Sequence, residues 1–123
     1  MSCWEQLGAI LAWEWHDPEL QSLHFLTVAA YNLQHPAQFT DTALTALCAA
    51  FIDYLDNGIT IAEIRTRITH VAAASSRVLR PEAERRPVLR CWRMTISDVY
   101  QHGASEGAAQ RVKAWVVSLR NEL

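Results

Sequence analysis

Hydrophobic residues recur at helical spacing along most of the chain, and the alternating pattern of a half-buried strand is nearly absent. A first helix is predicted over residues 3–15. It should end before Asp17-Pro18, because the residue that precedes a proline is disfavoured in the α region. Its large apolar residues fall near one face, which we expect to point inward: Trp4, Leu7, Leu11 and Trp15.

A second helix is predicted from Pro18 to about Gln34. Asp17 is a suitable N-cap, and a proline at the first helical position already has the helical backbone angle. The His35-Pro36 pair stops this helix. One broad side of the helix is apolar, and the other collects polar residues: His24, Thr27, Tyr31, Gln34 and His35.

Two more helices follow in the middle of the chain. The third begins at Thr40 or Asp41, and Gly58 closes it in the manner of a left-handed cap. The fourth opens with the capping-box pattern of residues 60–63. Its inner stripe is expected to consist of Ile61, Ile64, Ile68 and Val71.

The C-terminal third begins with a long connection over residues 74–94, where prolines and charges break the helical pattern. Thr95 is expected to cap a single short turn that ends at Gly103, and Ser105 to cap a last helix. The inward positions of that helix are predicted to be Val112, Trp115, Val116 and Leu119.

These elements predict an all-α fold, a compact single-domain bundle of about five helices over residues 1–123. A hydrophobic content of 50% excludes a disordered chain. No run of about 18 apolar residues occurs, so we expect no membrane span. The chain shows no secretory leader, and Cys3, Cys48 and Cys91 are far apart, which indicates a cytoplasmic protein with reduced thiols.

Charge is distributed unevenly along the chain. Residues 1–63 carry eight acids and no lysine or arginine, whereas residues 64–123 carry eleven basic residues against five acids. One interpretation is that the two halves pair with each other, within the chain or in a homo-oligomer. The other is a basic surface for an anionic partner, built on the six arginines of residues 77–93. A pI of about 6.2 makes nucleic acid the weaker choice of partner.

The polar side of the second helix is the main candidate for chemistry. His24 or His35 would act as acid or base, because imidazole titrates near neutrality, and Tyr31 would assist. Glu14, His16 and His24 together offer two nitrogens and a carboxylate to a divalent metal ion, although no metal-binding spacing supports them. Further ligand-binding candidates in the same predicted pocket are Glu14, His16, Thr27, Gln34 and Trp92.

Two other interpretations of these residues stay open. The polar side could be a solvent-facing stripe, or a buried hydrogen-bond network that fixes the helix to its neighbours. The protein would then be a non-enzymatic interaction or regulatory module that uses the arginines of residues 77–93. By contrast, the candidate residues of the preceding paragraph predict a pocket that binds a small molecule or metal ion and performs acid–base catalysis.

The run from His24 to Pro36, HFLTVAAYNLQHP, resembles the signature H-x-L-T-V-D-x-Y-x-x-Q-H-P of a bacterial family of small helical proteins known only as a domain of unknown function. Three further parts of the chain resemble elements of that family: Cys3-Trp4, Glu14 followed by Asp17-Pro18, and the segment from Leu89 to Val99. Two features depart from it, since Ala29 stands in the place of the aspartate and the C-x-x-C-G element of many members is absent. The resemblance implies a buried network or a ligand pocket rather than an exposed stripe, because such sites need fixed polar residues.

Overall fold

A computed structural model describes residues 1–75 and 77–123. For residues 71–75 it describes the backbone but not the burial of the side chains. The described residues form an all-α fold, as predicted, but with seven α-helices instead of about five. Short 3₁₀ turns follow several of them, and the pairing of Phe39 with Leu79 is an isolated β-bridge. The helices are α1 (Cys3–Trp13), α2 (Pro18–Ser22), α3 (His24–Gln34), α4 (Asp41–Asn57), α5 (Ile61–Ser75), α6 (Ile96–Tyr100) and α7 (Ala108–Glu122).

The predicted second helix is divided at Leu23, so the prediction of one helix from Pro18 to Gln34 is wrong. The Leu23 backbone leaves the helical region, and its N–H donates to the Leu20 carbonyl at 3.0 Å, three residues back. In an unbroken helix Leu20 and Leu26 would lie about 120° apart around the axis. Both are buried, and the change of direction at Leu23 allows this.

The first helix buries a different face from the one predicted. Leu7 and Ile10 point into the core, whereas Trp4 is 70% exposed and Trp15 is 83% exposed. Trp15 lies beyond α1, in the 3₁₀ turn Glu14–His16, where the rotation per residue is larger than in an α-helix. The expectation that both tryptophans face inward is therefore wrong.

Most of the predicted helix ends are confirmed. The side chains of Asp17, Thr40 and Thr95 each accept a backbone N–H in the first turn of α2, α4 and α6. Gly58 closes α4 with a φ of 65°, a left-handed conformation that glycine adopts without steric cost. These ends are set by contacts within four residues, which is why the sequence pattern locates them.

Two compact units make up the described residues, and the first comprises residues 1–34 and 91–123. In it α7 packs against α2, α3 and α6, and α1 packs against α6. The inward face predicted for the last helix is confirmed, with Trp115 and Val112 fully buried and Val116 and Leu119 nearly so. Burying these side chains removes several hundred Å² of apolar surface from water, at roughly 25 cal/mol per Å².

The second unit comprises residues 35–90 and is centred on α4 and α5, which pack against each other. Phe51 and Ile64 are its largest buried side chains. Ile61 and Ile68 are exposed, so the predicted inner stripe of the fourth helix is correct only at Ile64. The side chain of Val71, its last member, lies outside the described residues. The single-domain organisation stays a prediction.

The long connection runs back along the start of α4. The Thr40 N–H donates to the Val78 carbonyl at 2.9 Å, and the Arg80 N–H donates to the Gln38 carbonyl at 2.8 Å. A 3₁₀ turn follows at Glu82–Glu84. These bonds hold the first part of the connection against the start of α4, within the second unit.

Acidic and basic residues pair inside each unit. In the first unit Lys113 binds Glu19 at 2.7 Å. In the second unit Arg67 binds Asp53 at 2.7 Å and Arg80 binds Asp41 at 2.6 Å. Each pair joins the acidic half of the sequence to the basic half, which supports the first interpretation of the charge pattern. Separately, none of the described helices has the length and apolarity needed to cross a membrane.

The loop before α7 corrects one cap and contains unusual backbone. Ser105 does not cap the last helix; Gly107, with a φ of 76°, precedes its first residue. Further upstream, Gln101 and His102 both have positive φ, which is costly for residues other than glycine.

Arg111 holds this loop in place. Its guanidinium donates to the Val99 carbonyl at 2.9 Å, to the Glu106 carbonyl at 2.6 Å, and to the Ala104 carbonyl. One side chain therefore ties the end of α6 and two points of the loop to α7. A planar fork with several donors suits this task better than a single ammonium group.

We expect Arg111→Lys to lower the free energy of unfolding by about 2 kcal/mol, because the lysine keeps the charge but loses the fork of hydrogen bonds. Urea denaturation measures this change. Lys113→Ala on the same helix is the control, and its half-exposed ion pair should contribute under about 1 kcal/mol. Equal effects of the two substitutions would contradict the role given to Arg111.

Candidate functional site

The structure brings together two of the predicted site residues, Glu14 and His24. Glu14 begins the 3₁₀ turn after α1, and His24 is the first residue of α3. The imidazole Nδ1 lies 2.7 Å from one carboxylate oxygen of Glu14 and 2.8 Å from the other. The pair thus joins two elements that the Asp17-Pro18 turn folds back on each other.

Burial divides the roles of the two groups. The Glu14 side chain is only 8% exposed, whereas the His24 side chain is 58% exposed. An ionised carboxylate only accepts hydrogen bonds, so Nδ1 of His24 carries the proton in this contact. In the neutral ring the other nitrogen, Nε2, then keeps its lone pair and can accept a proton or a hydrogen bond.

A shallow cleft of about 340 Å³ lies beside this pair. Leu11, Trp15 and Gln21 line the rest of it. They supply an aliphatic surface, an exposed indole and an amide that can both donate and accept. The cleft therefore combines a proton acceptor with a small apolar wall.

His16 does not join this pair. It is exposed and lines a separate cleft of about 300 Å³ with Trp13, Asp17 and Glu106 among its walls. Within the described part of the chain, no three His, Cys, Asp or Glu side chains lie close enough to hold a metal ion. The three-ligand metal site predicted from Glu14, His16 and His24 is therefore not assembled.

Three polar residues of the predicted stripe are buried in the first unit. Thr27 is fully buried, and its hydroxyl donates to the Leu23 carbonyl at 3.2 Å. Tyr31 is buried, with its ring 6.3 Å from that of Trp4. Burial, with a smaller contribution from the Cys3 thiol, raises the pKa of Tyr31 above its ordinary value, so the phenol stays protonated at neutral pH. None of these groups faces solvent.

Gln34 is the third buried member, and its amide makes two long-range hydrogen bonds. Its Nε2 donates to the Met94 carbonyl at 2.8 Å. Its Oε1 accepts the indole N–H of Trp115 at 3.1 Å. This arrangement agrees with the buried-network interpretation for this end of α3.

Neither His35 nor Trp92 lines the cleft beside His24. Both are half-buried and take part in interactions of their own. His35 begins the second unit, where it follows the end of α3. His35, which the sequence offered as the alternative acid or base, therefore does not line this cleft, and its catalytic role stays a prediction.

Sequence reasoning missed Trp15 and Gln21 as site residues. Trp15 looked like a core residue because it is large and apolar, and Gln21 stood outside the resembling segment. The sequence did offer one sign that a tryptophan here is exposed. Trp13 and Trp15 are two residues apart, and a helix cannot bury both positions on one face.

We expect Gln34→Met to lower the free energy of unfolding by about 3 kcal/mol, because it leaves the buried indole N–H of Trp115 and the partly buried Met94 carbonyl without these partners. Thermal and urea unfolding measure this effect. Thr27→Val is the matched control on the same helix, and it should cost under about 1 kcal/mol because its hydroxyl donates one local bond, to the Leu23 carbonyl just before α3. A loss no larger than the control's would contradict the structural role of Gln34.

The comparisons with known proteins agree with the resemblance seen in the sequence at the level of family. Neither a curated protein nor a solved structure matches the chain significantly. The profile of a family of unknown function (DUF5946) matches residues 1–123. The match extends over the whole chain, and so the protein belongs to the DUF5946 family.

Proposed function

We propose that the Glu14–His24 pair is the centre of a small-molecule site in which His24 exchanges a proton with the bound molecule. One observation carries this proposal: a nearly buried carboxylate contacts Nδ1 of a largely exposed imidazole through both of its oxygens. Both residues also line a cleft that a small molecule can enter.

The carboxylate would perform two tasks. It holds the ring in the tautomer that leaves Nε2 able to accept a proton, and it keeps the ring in one orientation. Once Nε2 has taken a proton, the negative charge of Glu14 stabilises the imidazolium. Proton transfer by such a positioned group typically accelerates a reaction by 10²–10⁴-fold.

A purely structural role for the pair is the competing explanation. The contact also joins the 3₁₀ turn after α1 to the first turn of α3, so it stabilises the fold to some degree. With an imidazole 58% exposed, that contribution is about 1 kcal/mol or less. Ligand binding and stability should therefore respond differently to substitution of His24.

We expect His24→Ala to abolish binding of small-molecule fragments to the cleft while the protein stays folded. The measurement is a fragment screen by NMR, with shifts of the Trp15 indole and Gln21 amide signals reporting the cleft. His70→Ala is the matched control, because His70 is an exposed histidine of the second unit. Fragment binding that persists in the His24 variant would contradict the proposal.

Glu14→Gln separates the proton-transfer role from simple binding. A glutamine can still hydrogen-bond Nδ1 but carries no charge to stabilise an imidazolium. We therefore expect the His24-dependent part of p-nitrophenyl acetate hydrolysis, which is the rate lost in His24→Ala, to fall by at least tenfold. His16→Gln should leave this rate unchanged, because His16 lines the other cleft. A rate unaffected by Glu14→Gln would show that the carboxylate serves only the fold.

A second candidate function uses the arginine segment of the second unit, residues 77–90. Leu89 is 95% exposed, and Leu79 and Val88 are more than half exposed among the arginines. Such a mixture suits a partner surface with acidic and apolar groups, including a second copy of the chain. Against this, Arg85 and Arg86 donate to backbone carbonyls of their own segment, which occupies part of their hydrogen-bonding capacity.

If this segment forms a homo-oligomer, Arg85→Glu combined with Arg86→Glu should shift the chain towards monomer, because it reverses two charges in the contact. Analytical ultracentrifugation measures the distribution. Arg65→Glu, an exposed arginine of α5, is the control. A monomeric wild-type chain, or an oligomer that the double substitution leaves intact, would contradict a homo-oligomer built on this segment.

A further inference from the structure

We propose that the cleft beside His24 selects a flat, positively charged nitrogen heterocycle that carries an N–H donor. This inference rests on the proposed function of the Glu14–His24 pair and specifies the chemical class of its ligand. It is drawn from the indole, the charge and the hydrogen-bonding groups that line the cleft.

The indole of Trp15 supplies a flat surface. Trp13, two residues earlier, stacks on Tyr100 with ring centres 5.8 Å apart and planes within 6° of parallel. Trp15 is 83% exposed and lines the cleft instead. An exposed indole face attracts planar rings by stacking, and it attracts cations through its electron-rich face.

The charge of the cleft favours a cation. Its lining includes the carboxylate of Glu14, and none of the described lining residues is a lysine or arginine. Residues 1–63 contain no lysine or arginine at all, and the nearby Glu19 is already paired with Lys113, so Glu14 supplies the charge of the cleft. An anionic ligand would meet that negative charge, whereas a cation would gain a favourable field.

The hydrogen-bonding groups favour a ligand that donates. Because Nδ1 of His24 donates to Glu14, Nε2 of the neutral ring can only accept. The Gln21 amide can accept or donate on the same wall. A protonated amino-heterocycle satisfies both groups while its ring lies on Trp15, and Leu11 completes the apolar contact.

Four probes separate these three requirements by isothermal titration calorimetry. The cation of 4-aminoquinoline is flat, charged and has N–H donors. The 1-methylquinolinium ion lacks the donors, cyclohexylammonium lacks the flat ring, and 2-naphthoate reverses the charge. We expect 4-aminoquinoline to bind at least tenfold more tightly than each of the other three.

Substitutions assign the stacking surface. Trp15→Ala should weaken binding of 4-aminoquinoline by at least tenfold, since it removes the surface on which the ring stacks. Trp15→Phe should restore part of the affinity. Trp4→Ala is the matched control. Trp4, in α1, is also an exposed tryptophan of the first unit, but it does not line this cleft.

The outcomes distinguish this inference from the function on which it rests. If fragments bind in a His24-dependent manner but 2-naphthoate binds as tightly as 4-aminoquinoline, or Trp15→Ala has no effect, the ligand class is overturned and the site remains. Equal affinity for 1-methylquinolinium would overturn the N–H requirement. If neither 4-aminoquinoline nor any fragment binds in a His24-dependent manner, both the ligand class and the proposed site are overturned.

Discussion

The indole N–H of Trp115 imposes the main constraint on the first unit. A large aromatic ring stabilises the core by its burial, but its single polar group needs an acceptor there. Gln34 supplies that acceptor, and its own amide nitrogen then needs the Met94 carbonyl. Two hydrogen bonds thereby fix the end of α3, the middle of α7 and the segment before α6 to one another.

The same constraint positions the candidate site. α3 is anchored by Gln34 at its last residue and presents His24 at its first. Thr27 and Tyr31, between them, are buried, so the helix has little freedom to rotate. The imidazole therefore stands on a rigid element, and the buried Glu14 only has to orient the ring. Such support is what a site that transfers protons requires.

Local signals in the sequence predicted the helix ends, because a cap depends on residues within one turn. They did not predict that Ile10 is buried while Trp4 and Trp15 are exposed, since the predicted helix continued through residue 15 and placed both tryptophans on its apolar face. They also did not predict that Gln34 bonds to Trp115. The two residues are 81 positions apart, and helical periodicity says nothing about contacts between distant helices. The contact of Glu14 with His24 was foreseeable from the turn at Asp17-Pro18, whereas the aromatic wall of the cleft was not.

The 3₁₀ turn Glu14–His16 has a consequence for how this segment can change in length. Three residues complete one turn there, so each side chain points about 120° away from the one before it. This rotation separates the packed Trp13 from the exposed Trp15 and turns Glu14 towards His24. Deleting one residue between Trp13 and Pro18 would rotate each following side chain of the turn by about 120°, into the direction that its neighbour now has. Related sequences should therefore vary in composition here far more readily than in spacing.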